Sequence, residues 1–433
     1  MPTTSLPQAV LSDALGRLQG AQADFNGRYP GDSGARQPVH TVYGGAHLFK
    51  AETCQKLGAL ALRVLAEQAP DAATFAEALG FPATLADTVY ERVKEKLGRE
   101  AVEDFRIDFE DGYGNRADAD EDGHAVLAAR EVVRAHAARL LPPFIGIRIK
   151  TLSAELGPRS IRTLDIFLST LVGELGGQLP SGFVVTLPKI TSPEHVRVLV
   201  TLFDSLEEKL GLPAGTLKME LMVETTQCIL GADGGSMLPR LVDAARGRCT
   251  GAHFGTYDFT ASSDITAAHQ RMRHPACDFA KHVMKMSFAG TGVWLSDGAT
   301  NIMPVGKDRK VVHAAWRLHA DDVRHSLVGG FYQGWDLHPG QLPSRYGAVY
   351  AFFLEGLPAA SERLSNFVSK SAQATLVGDV FDDAATGQGL LNFFLRGISC
   401  GAIREQEALA TGLTLEEVRS RSFVKIMERR RAK

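Results

Sequence analysis

The sequence predicts an α/β fold, a closed (β/α)8 or TIM barrel, with an N-terminal extension over residues 1–40, the barrel over 41–360 and a helical C-terminal extension over 361–433. Three observations predict it. Short runs rich in β-branched and aromatic residues occur eight times and alternate with longer stretches of helical apolar spacing. Such alternation implies parallel neighbours, because each return to the same sheet needs a crossover. Charged residues also recur where the predicted strands end, which is where barrels of this kind carry their sites. An open, doubly wound sheet is the alternative that the same alternation allows.

Taken in order, residues 1–40 are polar and turn-rich and carry Gly31-Asp-Ser-Gly34. The strands are predicted at Thr41–Tyr43, Phe105–Glu110, Phe144–Lys150, Phe183–Pro188, Leu217–Glu224, Ala252–Tyr257, Val293–Asp297 and Phe331–Leu337. Between them, Leu57, Leu60, Ala61, Val64 and Leu65 recur at the spacing of one helix face, as do Ile161, Leu164, Leu168, Leu171 and Val172. Residues 70–100 predict an additional helix with Val89, Val93 and Leu97 on one face. Gly231 to Ser236 reads as a loop. The C-terminal region is helical and contains Thr414-Leu-Glu-Glu417, a capping box, and serves as a cap or an oligomer element. Arg429 to Arg431 read as a solvated helix end.

Composition narrows the function classes. Of 433 residues, 45% are hydrophobic and 22% charged, an ordinary globular balance. Lys+Arg number 47 against 50 Asp+Glu, so no global positive field exists to hold nucleic acid. No apolar run approaches the ~20 residues of a membrane span, and the first residues do not read as a secretory signal. Five scattered cysteines without a CxxC fit a reducing cytoplasm rather than a disulfide scaffold. Neither a GxxxxGK[ST] loop nor a GxGxxG is present to bind a nucleotide.

The predicted strand ends supply the candidate site. Asp108 and Glu110 are two apart, so on a strand both point one way while Phe105, Ile107 and Phe109 point the other. Such carboxylates either form an ion-pair rim with Arg106, Arg116 or Arg148, or serve a metal or substrate. Arg148 and Lys150, also two apart, suit an oxo acid or acyl substrate, since a guanidinium grips a carboxylate through two hydrogen bonds. Glu224 and Asp258 close consecutive predicted strands and would be neighbours. Two carboxylates with waters and substrate oxygens make a typical Mg2+ site, and the ion would act as a Lewis acid on a carbonyl. Asp297-Gly298 is a strand-end turn or a general base. His269, His274 and Cys277 make an incomplete zinc set, and His253 reads as a satisfied core histidine.

Gly182-Phe-Val-Val-Thr-Leu-Pro-Lys-Ile-Thr-Ser-Pro-Glu194 resembles the PK(V/I)xSPE segment of the citrate lyase β-subunit-like proteins. Asp108-Phe-Glu-Asp111 resembles their DLED, and Gly334 to Gln341 their GKxxIHPxQ. The matched order covers roughly residues 40–350 and is similar to the wider HpcH/HpaI aldolase and citrate lyase superfamily, on the phosphoenolpyruvate/pyruvate-type barrel. The resemblance implies carbon–carbon bond cleavage or formation through an enolate, with Mg2+ (or Mn2+) as cofactor. It places Glu224 and Asp258 on the metal and Arg148 on the substrate's carboxylate or enolate oxygen. Asp108, Glu110, Lys150 and Lys189 line the substrate site, and Asp111 is a candidate base beside Asp297. Asp111 stands where the aldolase branch carries histidine, which sides this chain with the lyase branch. The usual RxN reads Arg148-Ile-Lys150, the first strand lacks the usual turn, and the interval from Glu224 to Asp258 is long.

The expectation is therefore a cytoplasmic, homo-oligomeric lyase or aldolase acting on a small carboxylic acid or acyl-CoA, binding neither nucleic acid nor membrane. Phosphoryl transfer involving phosphoenolpyruvate, with Arg116, Lys150 and Lys189 on the phosphate, and a non-catalytic small-acid sensor are the alternatives.

Overall fold

The structure is a computed structural model and describes residues 5–369, 375–377, 380–382, 384–420 and 426. After helix α1 (Gln8–Arg28) come strand β1 (His40–Gly45), then α2 (Thr53–Gln68), α3 (Ala72–Leu79), α4 (Ala86–Glu100) and β2 (Asp104–Asp108). The alternation continues with α5 (Asp118–Ala137), β3 (Phe144–Arg148), α6 (Gly157–Glu174), β4 (Phe183–Leu187), α7 (Pro193–Leu210) and β5 (Lys218–Val223). Short α8 (Thr226–Ile229) and α9 (Leu238–Ala244) lead to β6 (Cys249–Phe254), α10 (Thr256–Ser262), α11 (Pro275–Phe288), β7 (Trp294–Ala299), α12 (Arg309–Val328) and β8 (Gln333–Asp336). Helix α13 (Leu342–Ser369) and α14 (Ala384–Ser399) open the C-terminal region, with a short antiparallel pair, Thr375–Val377 and Val380–Asp382, between them.

All eight strands pair in parallel and in chain order, and β8 closes on β1. The molecule is a (β/α)8 barrel with a helical C-terminal extension, as the sequence predicts, and the open sheet is excluded. The alternation inside each strand explains the closure. On β2, Phe105 and Ile107 are buried against the helix layer, while Asp104, Arg106 and Asp108 face inward. On β3, Ile145 and Ile147 do the former and Arg148 the latter.

The barrel interior carries buried charged groups, and those near its base are paired. Arg106 pairs with Asp104 and Glu220, and its Nε donates to Thr186 Oγ1 at 3.1 Å. His253 Nε2 lies 2.8 Å from Glu220 Oε2, which makes it the satisfied core histidine expected. A second buried knot ties the barrel's closing seam to the outer helices. Asp336 on β8 meets His40 Nδ1 of β1 at 2.8 Å, His319 Nε2 of α12 at 3.0 Å and Arg345 Nη2 of α13 at 2.8 Å. Because His40 Nε2 accepts from the Glu103 amide, its Nδ1 carries the proton given to Asp336.

Several expectations are corrected. Residues 1–40 hold a 21-residue helix rather than turns alone, because Leu11, Leu15, Leu18 and Phe25 repeat at helical spacing. Residues 70–100 form two helices, with Val89, Val93 and Leu97 buried on α4 as predicted. The strands end earlier than expected at Asp108, Arg148 and Phe254, so Glu110, Lys150 and Asp258 lie beyond them. The capping box is present, Glu417 N donating to Thr414 Oγ1 at 3.2 Å and Thr414 N to Glu417 Oε2 at 2.8 Å. Arg429 to Arg431 lie outside the described residues. Among the described residues, no helix is long and apolar enough to cross a membrane.

Candidate active site

The C-terminal ends of β2 to β6 gather a cluster of opposite charges. Arg148 leaves the end of β3 into the barrel, 1% exposed. Asp108 anchors it with both oxygens, the Nε bond measuring 2.7 Å. Tyr43 and Trp335 flank the guanidinium, with ring centroids 4.9 and 5.5 Å from Cζ. Held from below and from the sides, the guanidinium has one nitrogen with no hydrogen bond, which faces the carboxylates of Glu110 and Asp111. Nη1 is buried and makes no hydrogen bond, although Glu110 Oε2 lies 3.0 Å away.

Asp108 is itself spent. It also accepts from the amides of Glu110 at 2.9 Å and Gly112 at 2.7 Å, which folds the chain after β2 into a turn. That turn carries Glu110 and Asp111 over the barrel mouth.

Lys189 supplies the opposing cation. Its ammonium pairs with Glu110 and lies 3.3 Å from Asp111 Oδ2 and 3.6 Å from Asp258 Oδ1. The residue adopts a left-handed backbone (φ 49°), a sparsely populated conformation for a lysine. That turn aims its amide at Glu224, which accepts at 2.7 Å on Oε1. Asp258 sits in the first turn of α10, half exposed, and Gly255 permits the approach. A Cβ there would stand 2.5 Å from Glu224 Cβ and 2.7 Å from its Oε2.

The electrostatics follow from this packing. Burial, then the charge of Asp258, pushes the Glu224 carboxyl up to about 8, against the pull of Lys189. Burial and Asp111 raise Glu110. Burial alone would raise Asp111 too, but Arg148 and Lys189 outweigh it and hold it below its usual range. The nearby carboxylates hold Lys189 firmly protonated despite its burial.

Structure and expectation differ at three residues. Lys150 does not face the mouth beside Arg148. Past the strand end its ammonium turns to α5, donating to Phe109 O at 2.5 Å and pairing with buried Glu121 at 3.0 Å. Asp297 is a poor base candidate, because its position on β7 points outward to the helices, where Lys281 at 3.0 Å and the Ser326 hydroxyl at 2.6 Å occupy it. Asp108 is an anchor for Arg148 rather than a group open to substrate, so the ion-pair reading and the site reading of this segment both apply. His274 caps α11 by accepting from Ala276 N at 3.1 Å, and Cys277 is buried. The residues missed are Tyr43 and Trp335. Their inward register on β1 and β8 was legible in the alternation, but nothing marked them as the walls around Arg148.

Can this cluster hold a metal? Among the described residues, no group of three or more His, Cys, Asp or Glu is gathered for one. Glu224 and Asp258 offer hard carboxylate oxygens, and a cation, the Lys189 ammonium, already lies against this acidic group. Mg2+ is commonly held by one or two carboxylates with water and substrate completing its shell, so the donor set fits.

The (β/α)8 barrel is similar in fold to solved citrate lyase structures. A citrate lyase from Burkholderia xenovorans LB400 has a TM-score of 0.58 at 20% identity, covering 87% of this chain and 97% of the other. The protein CitE from Mycobacterium tuberculosis, solved with magnesium, acetoacetate and coenzyme A, has a TM-score of 0.48 at 15% identity, covering 85% and 99%. Haloferax volcanii malate synthase has 0.48 at 14%, covering 90% and 96%. No curated protein matches the chain. The chain belongs to the family described as "Domain of unknown function (DUF6986)", whose model matches residues 18–426.

Proposed function

We propose that this protein is an enzyme that makes or breaks a carbon–carbon bond beside a carbonyl, on a small 2-oxo or 3-hydroxy acid, free or as an acyl-CoA thioester. The observation that carries this reading is the buried, aromatic-walled Arg148, whose Nη1 makes no hydrogen bond and is held only by ion pairing to Glu110 and Asp111, set beside the Glu224–Asp258 pair at one barrel mouth. Mg2+ or Mn2+ held by Glu224 and Asp258 would supply Lewis-acid stabilisation of the negative charge that develops on the substrate's carbonyl oxygen.

The chain's own residues do the rest. Arg148 Nη1 donates to the substrate's carboxylate or carbonyl oxygen and is pre-positioned, so little reorganisation is needed as charge grows. Asp108 fixes that donor's direction. Tyr43 and Trp335 keep water from its flanks. Asp111 at the open rim is the carboxylate placed to take or return a proton, since Arg148 and Lys189 keep it ionised. Glu110 and Lys189 complete the substrate wall. Lys150, which the phosphoenolpyruvate alternative needed, is turned away from that wall.

A panel of 2-oxo acids, 3-hydroxy acids and their CoA thioesters, incubated with Mg2+ and followed by proton NMR, tests the reading. A new aldehyde, acetyl or pyruvate signal is expected; transferred phosphate in a phosphorus spectrum instead would overturn it. Arg148→Lys keeps the charge but loses the two-point grip on Asp108 and the planar stack. Its turnover is expected to fall about a hundred-fold, at least about 2.7 kcal/mol of transition-state stabilisation. An unchanged kcat/KM would remove Arg148 from the site.

Lys189 gives a second check. Its tethered ammonium neutralises the acidic group that a divalent ion would neutralise. Lys189→Met, similar in length and uncharged, is expected to bind Mn2+ about ten-fold more tightly by calorimetry, which is about 1.4 kcal/mol. Weaker binding would show that the lysine supports the ion rather than competing with it.

A further inference from the structure

The end of the barrel opposite the mouth holds a polar cavity of about 670 Å3, the size of a small-ligand site. It lies where the chain enters its strands, away from Arg148. The tail of α11 lines it with Lys285, and the approach to β8 with Tyr332. Helix α14 of the C-terminal extension closes it with Asn392, Arg396 and Ser399. Asp32, in the segment that leads to β1, completes the rim.

Lys285 sets the chemistry of this cavity. Its ammonium donates to Gly330 O at 2.5 Å and, among the described residues, has no carboxylate partner. Gly330 permits the approach: its φ is +77°, and a Cβ there would stand 2.6 Å from the ammonium nitrogen. The other cation is already fixed. Arg396 pairs with Asp32 at 2.6 Å, donates to Gln37 Oε1 at 2.8 Å and sits over the Tyr332 ring, 5.0 Å from its centroid. Two positive side chains thus line the cavity against one negative, and Asp32 is engaged by Arg396. A half-buried ammonium without a counter-charge is costly, and a second cation on the same cavity adds to the cost. Burial first, then the charge of Arg396, lower the Lys285 pKa from its ordinary value. The remaining walls are suited to oxygen. Asn392 gives its amide oxygen to Gln388 at 3.0 Å, which leaves its N–H groups to donate. The Tyr332 and Ser399 hydroxyls make no hydrogen bond among the described residues.

We propose that this cavity binds an oxyanion, the carboxylate or phosphate group of a small polar metabolite, on Lys285 with Arg396 beside it. Such a ligand supplies the charge that Lys285 lacks and the acceptors that the neighbouring donors need. It joins α11 of the barrel to α14 of the extension, so its binding ties the C-terminal region to the barrel base. The inference is independent of the chemistry proposed for the mouth.

Calorimetry on the full chain in chelator, with inorganic phosphate, pyrophosphate and succinate as separate probes, tests the proposal. At least one is expected to bind; phosphate or pyrophosphate then indicates a phosphate ester, and succinate a carboxylic acid. Lys285→Met, similar in length and uncharged, is expected to weaken that binding at least about ten-fold. Arg148→Lys, at the opposite end of the barrel, is expected to leave it unchanged. Without a probe, Lys285→Met is expected to melt at or above the wild-type temperature, since it removes an unmatched charge. No binding of any probe at ~10 mM overturns the proposal. So does binding that survives Lys285→Met, whether it is lost in Arg148→Lys and so belongs to the mouth, or accompanies a lowered melting temperature that makes Lys285 a tether for Gly330.

Discussion

Glu224→Gln is expected to lower turnover by at least about a thousand-fold, some 4 kcal/mol of transition-state stabilisation, and to abolish Mn2+ binding. The substitution keeps the size of the side chain and the acceptor for the Lys189 amide, and removes only the negative charge. The structure should therefore survive it. In the ion-free protein, burial and Asp258 already disfavour ionised Glu224. Raised from the usual carboxylate range to about 8, this group costs stability progressively as pH rises between those two values. The glutamine variant is thus expected to be at least as heat-stable as the wild type above pH 8 in the absence of metal. A differential scanning measurement in chelator, beside a Mn2+ titration, separates loss of the ion from loss of the fold. Full activity in the variant would mean that Glu224 is not a ligand.

Asp336→Ala is expected to have the largest effect on the fold itself. The carboxylate is wholly buried and receives Arg345, His319 and His40. Burial alone would raise its pKa, but these partners hold it well below the usual value. Removing it strands a buried guanidinium with no counter-charge, a change that costs about 3–5 kcal/mol, a large share of the stability of an ordinary domain. Urea unfolding should show a midpoint lowered accordingly, with little change in slope. The pH dependence has a fixed sign. With a folded pKa below the unfolded one, Asp336 contributes its stability above about pH 4 and loses it as pH falls through the folded value. The wild type should therefore lose stability in acid below about pH 4, and the variant should lack that part of the slope. A variant as stable as the wild type would show that the knot is not a support of the barrel's closure.

Much of the fold was legible because its signals are local. A strand such as Phe144-Ile-Gly-Ile-Arg148 alternates between helix-facing and barrel-facing residues, and the helix after it shows a 3.6-residue stripe. The ends of those strands were harder, because hydrophobic pattern does not say where the chain leaves the sheet. In the second unit, Asp108 stops the strand by taking two amides of the following turn. The sixth strand stops where Gly255 lets the chain start α10 beside Glu224.

The same limit explains the side chains that were misjudged. Lys150 and Asp297 have the residue types of a site and sit at the right level of the barrel, but each is claimed by a buried partner distant in sequence, Glu121 and Lys281. Such pairings depend on which helix packs behind which strand, and no local spacing encodes that. The places of Arg148, Lys189 and Glu224 at the barrel mouth were legible because each ends or closely follows a strand whose inward register is fixed by its apolar neighbours. Helix α1 was read as turns because its apolar residues are diluted by glycine and by small polar residues.

On the proposed reading, Glu224 and Asp258 share a divalent ion in reach of Arg148. Anomalous diffraction from crystals grown with Mn2+ tests it most directly. One strong peak is expected at the C-terminal mouth of the barrel, about 2.0–2.2 Å from an oxygen of each carboxylate, with the Lys189 ammonium moved off the acidic group. A peak elsewhere, or none at a Mn2+ concentration that supports turnover, would contradict it.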